Sequence, residues 1–260
     1  MALHIEHVNK VFKNSGMPHI VLNDVSFTVE EGEFVSLLGP SGCGKTTLLT
    51  IVAGFQAASS GQVRINGNVV TKPGPDRGFV FQDYALFPWM TVKENIVFPM
   101  KQQKVPSAVR EEFLQRLLSM VHMEGKENLY PSQLSGGMKQ RTAMVRALAC
   151  RPKVLLMDEP LGAVDYQMRQ MLQEELEAIW ISEKTTVLMV THDVDEAVYL
   201  SDRIIVMSTK QGEVLEDLRV KLDRPRSRKS NKYFEYKDYL SEILITALTG
   251  VEDSLYRERR

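Results

Sequence analysis

The stretch Gly39-Pro40-Ser41-Gly42-Cys43-Gly44-Lys45-Thr46-Thr47 sets glycines, a lysine and a threonine at the spacing G-x-x-x-x-G-K-T. Glycines so spaced let the backbone curl until several N–H groups converge on one anion, and a helix starting there adds its positive dipole end. The pattern cradles phosphate when it lies between a strand and a helix. Both flanks fit. Phe34 to Leu38 is a short, mostly apolar run suited to a buried strand, and Lys45 to Ala53 contains no Gly or Pro and reads as helix. Lys45 is expected to reach the β- and γ-phosphates of a nucleotide, and the Thr46 hydroxyl to ligate Mg²⁺. The plain alternative is a glycine turn with a stray lysine. Cys43 lies near the positive helix end, which lowers a thiol's pKa, so its alkylation is expected to block nucleotide binding.

A second group of candidates lies further along. Val154-Leu155-Leu156-Met157-Asp158-Glu159-Pro160 is an unbroken apolar run ending in two acids, as in a central parallel strand covered on both faces. Ligands of open parallel sheets gather at the carboxyl ends of strands. There Asp158 is expected to hold Mg²⁺ through water and Glu159 to polarise the attacking water, the alternative being helix caps. His192 follows the apolar run Thr186 to Val190, where an imidazole can hold a γ-phosphate and a water in line; a lone histidine is otherwise structural. Gln82 ends the short strand Gly78 to Gln82, and its amide oxygen can complete a Mg²⁺ shell or do nothing special. Leu134-Ser135-Gly136-Gly137-Met138 opens a helix running to about Cys150, with Ser135 as N-cap. Two glycines weaken a helix start, a cost that makes sense if backbone must approach a phosphate, or that marks a flexible entry. Phe12, at the end of the first strand, either stacks on an adenine ring or plugs the edge of the domain.

The elements that position these residues alternate between strand and helix. Residues 3 to 31 read as β-rich, and Gly61 to Val70 as a hairpin turning at Asn66-Gly67. From Asp83 to about Cys150 the chain is helical in character. Val109, Phe113, Leu114, Leu117, Leu118 and Val121 give one apolar face, and Leu86-Phe87-Pro88-Trp89-Met90 forms an apolar loop. Helix is expected from Tyr166 to Ser182, a last apolar strand from Arg203 to Met207, and a small hairpin around Gln211-Gly212. Past Leu222 the basic run Arg224-Pro225-Arg226-Ser227-Arg228-Lys229 reads as a solvated linker, followed by helix from 233 to about 248.

The chain has 260 residues, 43% hydrophobic and 25% charged, enough for one large α/β domain or two small ones. A formal charge of −1 gives no global case for nucleic acid. The two cysteines suggest no disulfide framework and fit a reducing cytosol. No apolar run approaches the length that spans a bilayer, and residues 1 to 6 lack the features of a signal peptide.

Taken in order, these motifs resemble an ABC-transporter ATP-binding subunit over nearly the whole chain. The resemblance rests on the Walker A loop (Gly39 to Thr46), Gln82, the signature Leu134 to Met138, Walker B (Val154 to Glu159), the D-loop (Leu161 to Asp165) and His192. It implies an α/β P-loop NTPase core with an N-terminal antiparallel β subdomain and an inserted helical subdomain at about 83–150. The ATPase domain would occupy 1–222, with a basic linker and helical extension over 223–260. It also implies active ATP hydrolysis with Mg²⁺, Phe12 as the adenine-stacking aromatic, and Asp165 at the nucleotide interface. Ser135 and Gly137 of one subunit would face the phosphate loop of the other in a head-to-tail dimer, either homodimeric or with a paralogue. The expected partners are two permease subunits and an extracytoplasmic binding protein, with the chain peripheral at the cytoplasmic face and Leu86 to Met90 lining the docking cleft. Met138 and Val164 stand where many relatives have Gln and Leu, and neither change removes a functional group.

Pro73-Gly74-Pro75-Asp76-Arg77-Gly78 running into Phe79-Val80-Phe81-Gln82, followed by Leu86-Phe87-Pro88-Trp89, is similar to the importer ATPases for nitrate, alkanesulfonates and taurine. Soluble ABC ATPases acting on nucleic acid or ribosomes are the alternative class. The residues from Asp83 to Gln133 are too few for the long coiled coil of chromosome-type members and lack sustained heptads. A plain P-loop kinase or GTPase would leave Leu134 to Met138 and His192 unexplained.

Overall fold

In the computed structural model the described residues are 2–14, 17–162, 164–210 and 212–249. Ala163 of the loop after Walker B, Gln211 of the expected hairpin and residues 250–260 of the extension lie outside them. In chain order the elements are β1 (Leu3–Asn14), β2 (Met17–Val29), β3 (Phe34–Leu38), α1 (Lys45–Ala53), β4 (Ser60–Ile65) and β5 (Asn68–Val69). Next come β6 (Arg77–Val80), α2 (Val92–Gln102), α3 (Ser107–Met120), α4 (Gly136–Leu148), β7 (Val154–Asp158) and α5 (Tyr166–Glu183). The chain ends with β8 (Thr186–Thr191), α6 (Val194–Leu200), β9 (Arg203–Met207), β10 (Val214–Arg219) and α7 (Asn231–Thr249). It divides into two compact units, one built from 1–72 with 188–260 and the other from 73–187.

The first unit holds an antiparallel sheet in the order β2-β1-β4-β5. Alternation puts Leu3, Ile5, Val8, Val25, Phe27 and Val29 on its buried face. The β1–β2 register shifts after Ile5, where His7 (φ 49°) and Asp24 (φ 51°) form a bulge tied by Nδ1···Oδ1 at 2.7 Å. Asn66 and Gly67 both take positive φ, the type I′ turn expected of Asn-Gly. The same unit holds the strand order β10-β9-β3-β8, with β3 parallel to β9 and β10 antiparallel to it. Every residue of β3 is buried, as a parallel strand covered on both faces requires. Its one polar side chain, Ser36, is satisfied by Ser201 Oγ at 2.5 Å.

In the second unit β6 and β7 pair in parallel, from Arg77 against Val154 to Val80 against Met157. The helix α2, which the sequence reading left unplaced within a helical region, starts in a capping box: Thr91 Oγ1 accepts from Glu94 N, and Glu94 Oε2 accepts from Thr91 N at 2.8 Å. The apolar stripe over α3 is buried at Phe113, Leu114, Leu117, Leu118 and Val121. Val109, in the first turn, is 42% exposed, beyond the packed part of that stripe. Arg141 on α4 grips Glu175 on α5 through two parallel hydrogen bonds, Nε–Oε2 at 2.8 Å and Nη2–Oε1 at 2.5 Å.

The tail corrects one expectation. Arg224 to Lys229 is not a solvated linker: Arg226 is 5% exposed, and its Nη1 donates to the carbonyls of Val198 at 2.6 Å and Tyr199 at 3.1 Å. Arg224 donates to Leu200 O at 2.6 Å and to Asp202 at 3.0 Å. Carbonyls at the end of a helix lack intrahelical donors and carry partial negative charge, so arginines are drawn out of solvent to them.

The paired geometry of Arg141 and Glu175 makes a test of stability. Glu175→Met removes both acceptors and strands a mostly buried guanidinium, so urea denaturation should show a loss of about 2 kcal/mol. Adding Arg141→Met is expected to restore most of that loss.

Candidate functional site

The phosphate loop is built within the first unit. The buried strand β3 delivers Gly39, and Gly44 (φ 95°) turns the chain into α1, whose first turn has no side-chain cap. The N-terminal end of such a helix favours an anion. A Cβ on Gly39 would lie 2.6 Å from the carbonyl oxygen of Met207, so this approach of backbone to backbone admits only glycine. Ser41, Gly42 and Thr46 are exposed, Pro40 and Thr47 half-buried. The Lys45 ammonium donates to Gly39 O at 2.7 Å and Pro40 O at 2.9 Å, which stations a buried positive charge inside the loop's own ring of carbonyls. Phe12 lies within β1, 37% exposed, with Lys10 Nζ 4.9 Å from its ring centroid. An open aromatic face with a cation beside it suits stacking on a base.

Cys43 departs from its expected chemistry. The thiol is 1% exposed, and burial pushes its pKa above the ordinary value, with the Lys45 ammonium 3.7 Å away only partly opposing. Desolvation of a thiolate outweighs the pull of the helix end here.

The acids belong to the second unit. β7 is buried through Met157 and emerges at Asp158, half-buried like Glu159. Glu159 takes φ 43°, a left-handed conformation that costs a non-glycine residue about 1 kcal/mol or more and is concentrated at functional sites. The turn closes with Gly162 N donating to Glu159 O at 3.1 Å. Gln82 Nε2 stands 3.5 Å from Glu159 Oε2, so the structure brings these two candidates together. Within the first unit Thr46 carries a hydroxyl, and within the second Gln82 and Asp158 carry an amide and a carboxylate oxygen; each is the hard donor type that Mg²⁺ takes. Among the described residues no three His, Cys, Asp or Glu gather as a metal cage.

Ser135 caps α4, its hydroxyl accepting from Met138 N at 3.3 Å. Ser135 and Gly136 are exposed, whereas Gly137 is buried and a Cβ there would meet Met168 Sδ at 3.0 Å. Asp165 caps α5 by accepting from Met168 N at 3.0 Å. His192, in the first unit, is exposed between β8 and α6.

Leu86 to Met90 is a loop, as expected, with Trp89 69% exposed. It borders a groove of about 370 Å³ in the second unit, lined by Phe79, Phe81, Phe87, Phe98 and Arg146 among others. Two residues missed from the sequence hold it. Asn95, fully buried on α2, accepts from Phe87 N and donates to the carbonyls of Phe87, Met90 and Thr91 at 2.9 to 3.2 Å. Arg146 donates to Ala85 O at 2.6 Å and Tyr84 O at 3.0 Å. A polar residue one turn into an apolar helix was the available signal for Asn95. Arg146 left no signal, because its acceptors are backbone.

The family model described as ABC transporter matches residues 22–162. The chain belongs to the ABC transporter family. It is 44% identical over 239 residues to the aliphatic sulfonates import ATP-binding protein SsuB of Bacillus cereus, covering 91% of this chain and 93% of that one. To the nitrate import ATP-binding protein NrtD of Synechocystis sp. it is 42% identical over 253 residues, covering 94% and 95%. A solved dimeric post-hydrolysis state of an ATP-binding cassette bound to ADP and Pi superposes with a TM-score of 0.74 at 32% identity. That match spans 84% of this chain and 99% of the cassette. The protein is thus an ABC ATPase, with the P-loop core, N-terminal antiparallel sheet and helical content of that fold.

The state of the two cysteines in this ABC ATPase is directly testable. Burial raises the thiol pKa of both Cys43 and Cys150. Single-cysteine variants should label at least about tenfold more slowly folded than in urea, with the native rate climbing only at alkaline pH. Since the folded thiols hold their protons more tightly than unfolded ones, stability should fall as pH rises through the ordinary thiol range. Rapid labelling of folded Cys43 at neutral pH would restore the activated-thiol reading.

Proposed function

We propose that this chain is the ATP-hydrolysing subunit of an importer for a small oxyanion of the class of nitrate, an alkanesulfonate or taurine. The observation that carries the reading is its similarity to sulfonate and nitrate import ATP-binding proteins over 91–95% of both partners in each comparison. We assign residues 1–222 to the ATPase domain, with 83–150 as its helical subdomain and 223–260 as an extension.

In this reading two copies, or one copy and a paralogue, close head to tail on two ATP molecules. The backbone amides from Gly39 to Thr47 and the Lys45 ammonium draw on the β- and γ-phosphate charge, and Phe12 stacks on adenine. Ser135, Gly136 and Gly137 of one subunit, together with its Asp165, complete the site of the other. Thr46, Gln82 and, by way of water, Asp158 would hold Mg²⁺, which would supply positive charge against the phosphate oxygens. Glu159 takes a hydrogen bond from the attacking water, and His192 holds that water and the γ-phosphate in line. The water oxygen bonds to the γ-phosphorus, its proton passes toward Glu159, and the bond to the bridging oxygen breaks to release ADP and phosphate.

Closure pulls on two permease subunits docked at the groove beside Leu86 to Met90. An extracytoplasmic binding protein supplies the solute. In this reading the chain sits peripherally at the cytoplasmic face, against its permease partners; among the described residues no helix is long and apolar enough to cross a membrane.

Affinity isolation of the tagged protein from detergent-solubilised native membranes tests the assembly. A multi-span permease and a binding protein that takes up nitrate or a sulfonate are expected; a ribosome or DNA complex without a permease would overturn the import reading. For the site, Glu159→Gln should retain ATP binding, trap a dimer, and lose turnover by about 10²- to 10⁴-fold. Undiminished turnover in that variant would remove Glu159 from the chemistry.

A further inference from the structure

The tail and α7 take no part in the mechanism above, yet they hold the helix that follows His192. The peptide carrying His192 is fixed on both sides. Thr191 Oγ1 accepts from Asp193 N at 3.0 Å, and the Asp193 carboxylate caps α6 by accepting from Glu196 N at 3.1 Å. What freedom remains to His192 is therefore largely the freedom of α6 to move as a body.

That freedom is taken up at both ends of α6. At its C-terminal end Arg226 donates to the carbonyls of Val198 and Tyr199, and Arg224 to that of Leu200. The Arg228 guanidinium lies 3.5 Å from the centroid of the Tyr199 ring. At the N-terminal end Asp195, in the first turn, receives Lys237 Nζ from α7 at 2.7 Å and lies 3.6 Å from Arg228 Nε. Its backbone carbonyl accepts from the Tyr233 hydroxyl at 3.1 Å. Burial and the Asp195 carboxylate push the Tyr233 phenol well above its ordinary pKa, which keeps it a donor.

The same tail reaches the strand that carries the phosphate loop. Asp202, paired with Arg224, accepts from Phe34 N at 3.0 Å and donates its own N–H to Phe34 O at 2.8 Å. Phe34 begins β3, and β3 ends at the residue before Gly39. One set of charges, fully buried at Arg226 and part-buried at the others, thus spans the tail, both ends of α6 and the base of the phosphate-loop strand. A guanidinium this buried loses its acceptors only at high cost, so the arrangement is held firmly.

We infer that Arg226 and Lys237 are positioning residues for ATP turnover, which fix the two ends of α6 and through it the place of His192 at the end of β8. The inference rests on the role proposed for His192. Catalytic geometry is sensitive to small displacements, and a misplacement of about 1 Å from a remote change costs about a hundredfold. Binding of the nucleotide, by contrast, depends on the loop amides, Lys45 and Phe12, none of which the tail arginines touch.

The test uses the full chain, with turnover at saturating ATP and the affinity for a fluorescent ATP analogue measured separately. Arg226→Met keeps bulk and removes the donors; Lys237→Met removes the contact to Asp195 from a partly exposed position and keeps the variant set informative if Arg226→Met fails to fold. Each is expected to lower kcat by about ten- to a hundredfold while analogue affinity stays within about twofold, and Arg226→Lys to recover part of the loss. In a His192→Ala background the same substitutions should cause no further loss, because they act through the missing imidazole. Wild-type kcat in the folded variants, or losses that add in full to that of His192→Ala, would overturn the inference while leaving the His192 role intact. Undiminished turnover in His192→Ala alone would instead overturn that role, and the inference with it.

Discussion

The loop from Gly39 to Gly44 must turn its amide N–H groups inward, and that requirement governs what lies around it. A curl of this kind needs positive φ at Gly42 and Gly44 and close backbone contact at Gly39, where Met207 O stands 2.6 Å from the site of a Cβ. Such a turn is stable only if both flanks are immovable. The fully buried strand β3 provides one flank, and α1, with buried Leu48, Leu49, Ile51 and Val52, provides the other. The Lys45 ammonium then satisfies two of the loop's carbonyls, so a buried positive charge also holds the loop's shape.

The acid side follows a different principle. Glu159 stands in a left-handed conformation that the adjoining turn through Pro160 and Gly162 imposes. Strain of this kind persists only where the surroundings over-determine it. Here it aims the carboxylate toward Gln82 rather than along the strand. Gly137 is buried, and a Cβ there would stand 3.0 Å from Met168 Sδ, so a larger residue would require the Met168 side chain to shift.

What was readable in the sequence was what depends on neighbours in the chain. The strand, loop and helix around Gly39 to Thr47, the Asn66-Gly67 turn and the Ser135 cap are local patterns with local causes. Features set by distant partners were hidden. Arg226 sits in a run of like charges, and only the fold reveals that helix-terminal carbonyls 27 and 28 residues earlier draw it inward. For Cys43 the helix end was visible and the burial was not, so the sign of its pKa shift came out reversed. Val109 fits the helical period of its stripe, yet it falls in the first turn of α3, beyond the packed surface.

The unit that carries the phosphate loop is assembled from two stretches of chain, 1–72 and 188–260, with the whole of the other unit between them. During synthesis β3 emerges early, but its companions in the order β10-β9-β3-β8 all follow residue 185. The intervening unit is contiguous and can reach its native contacts first, as locally connected structure generally does. The strand leading to the phosphate loop has no native sheet partner until β8 and β9 have been made. Nucleotide capacity is consequently a property of the finished chain: a product cut short before β9 carries the entire glycine-rich motif and lacks the carbonyl of Met207 against which it turns.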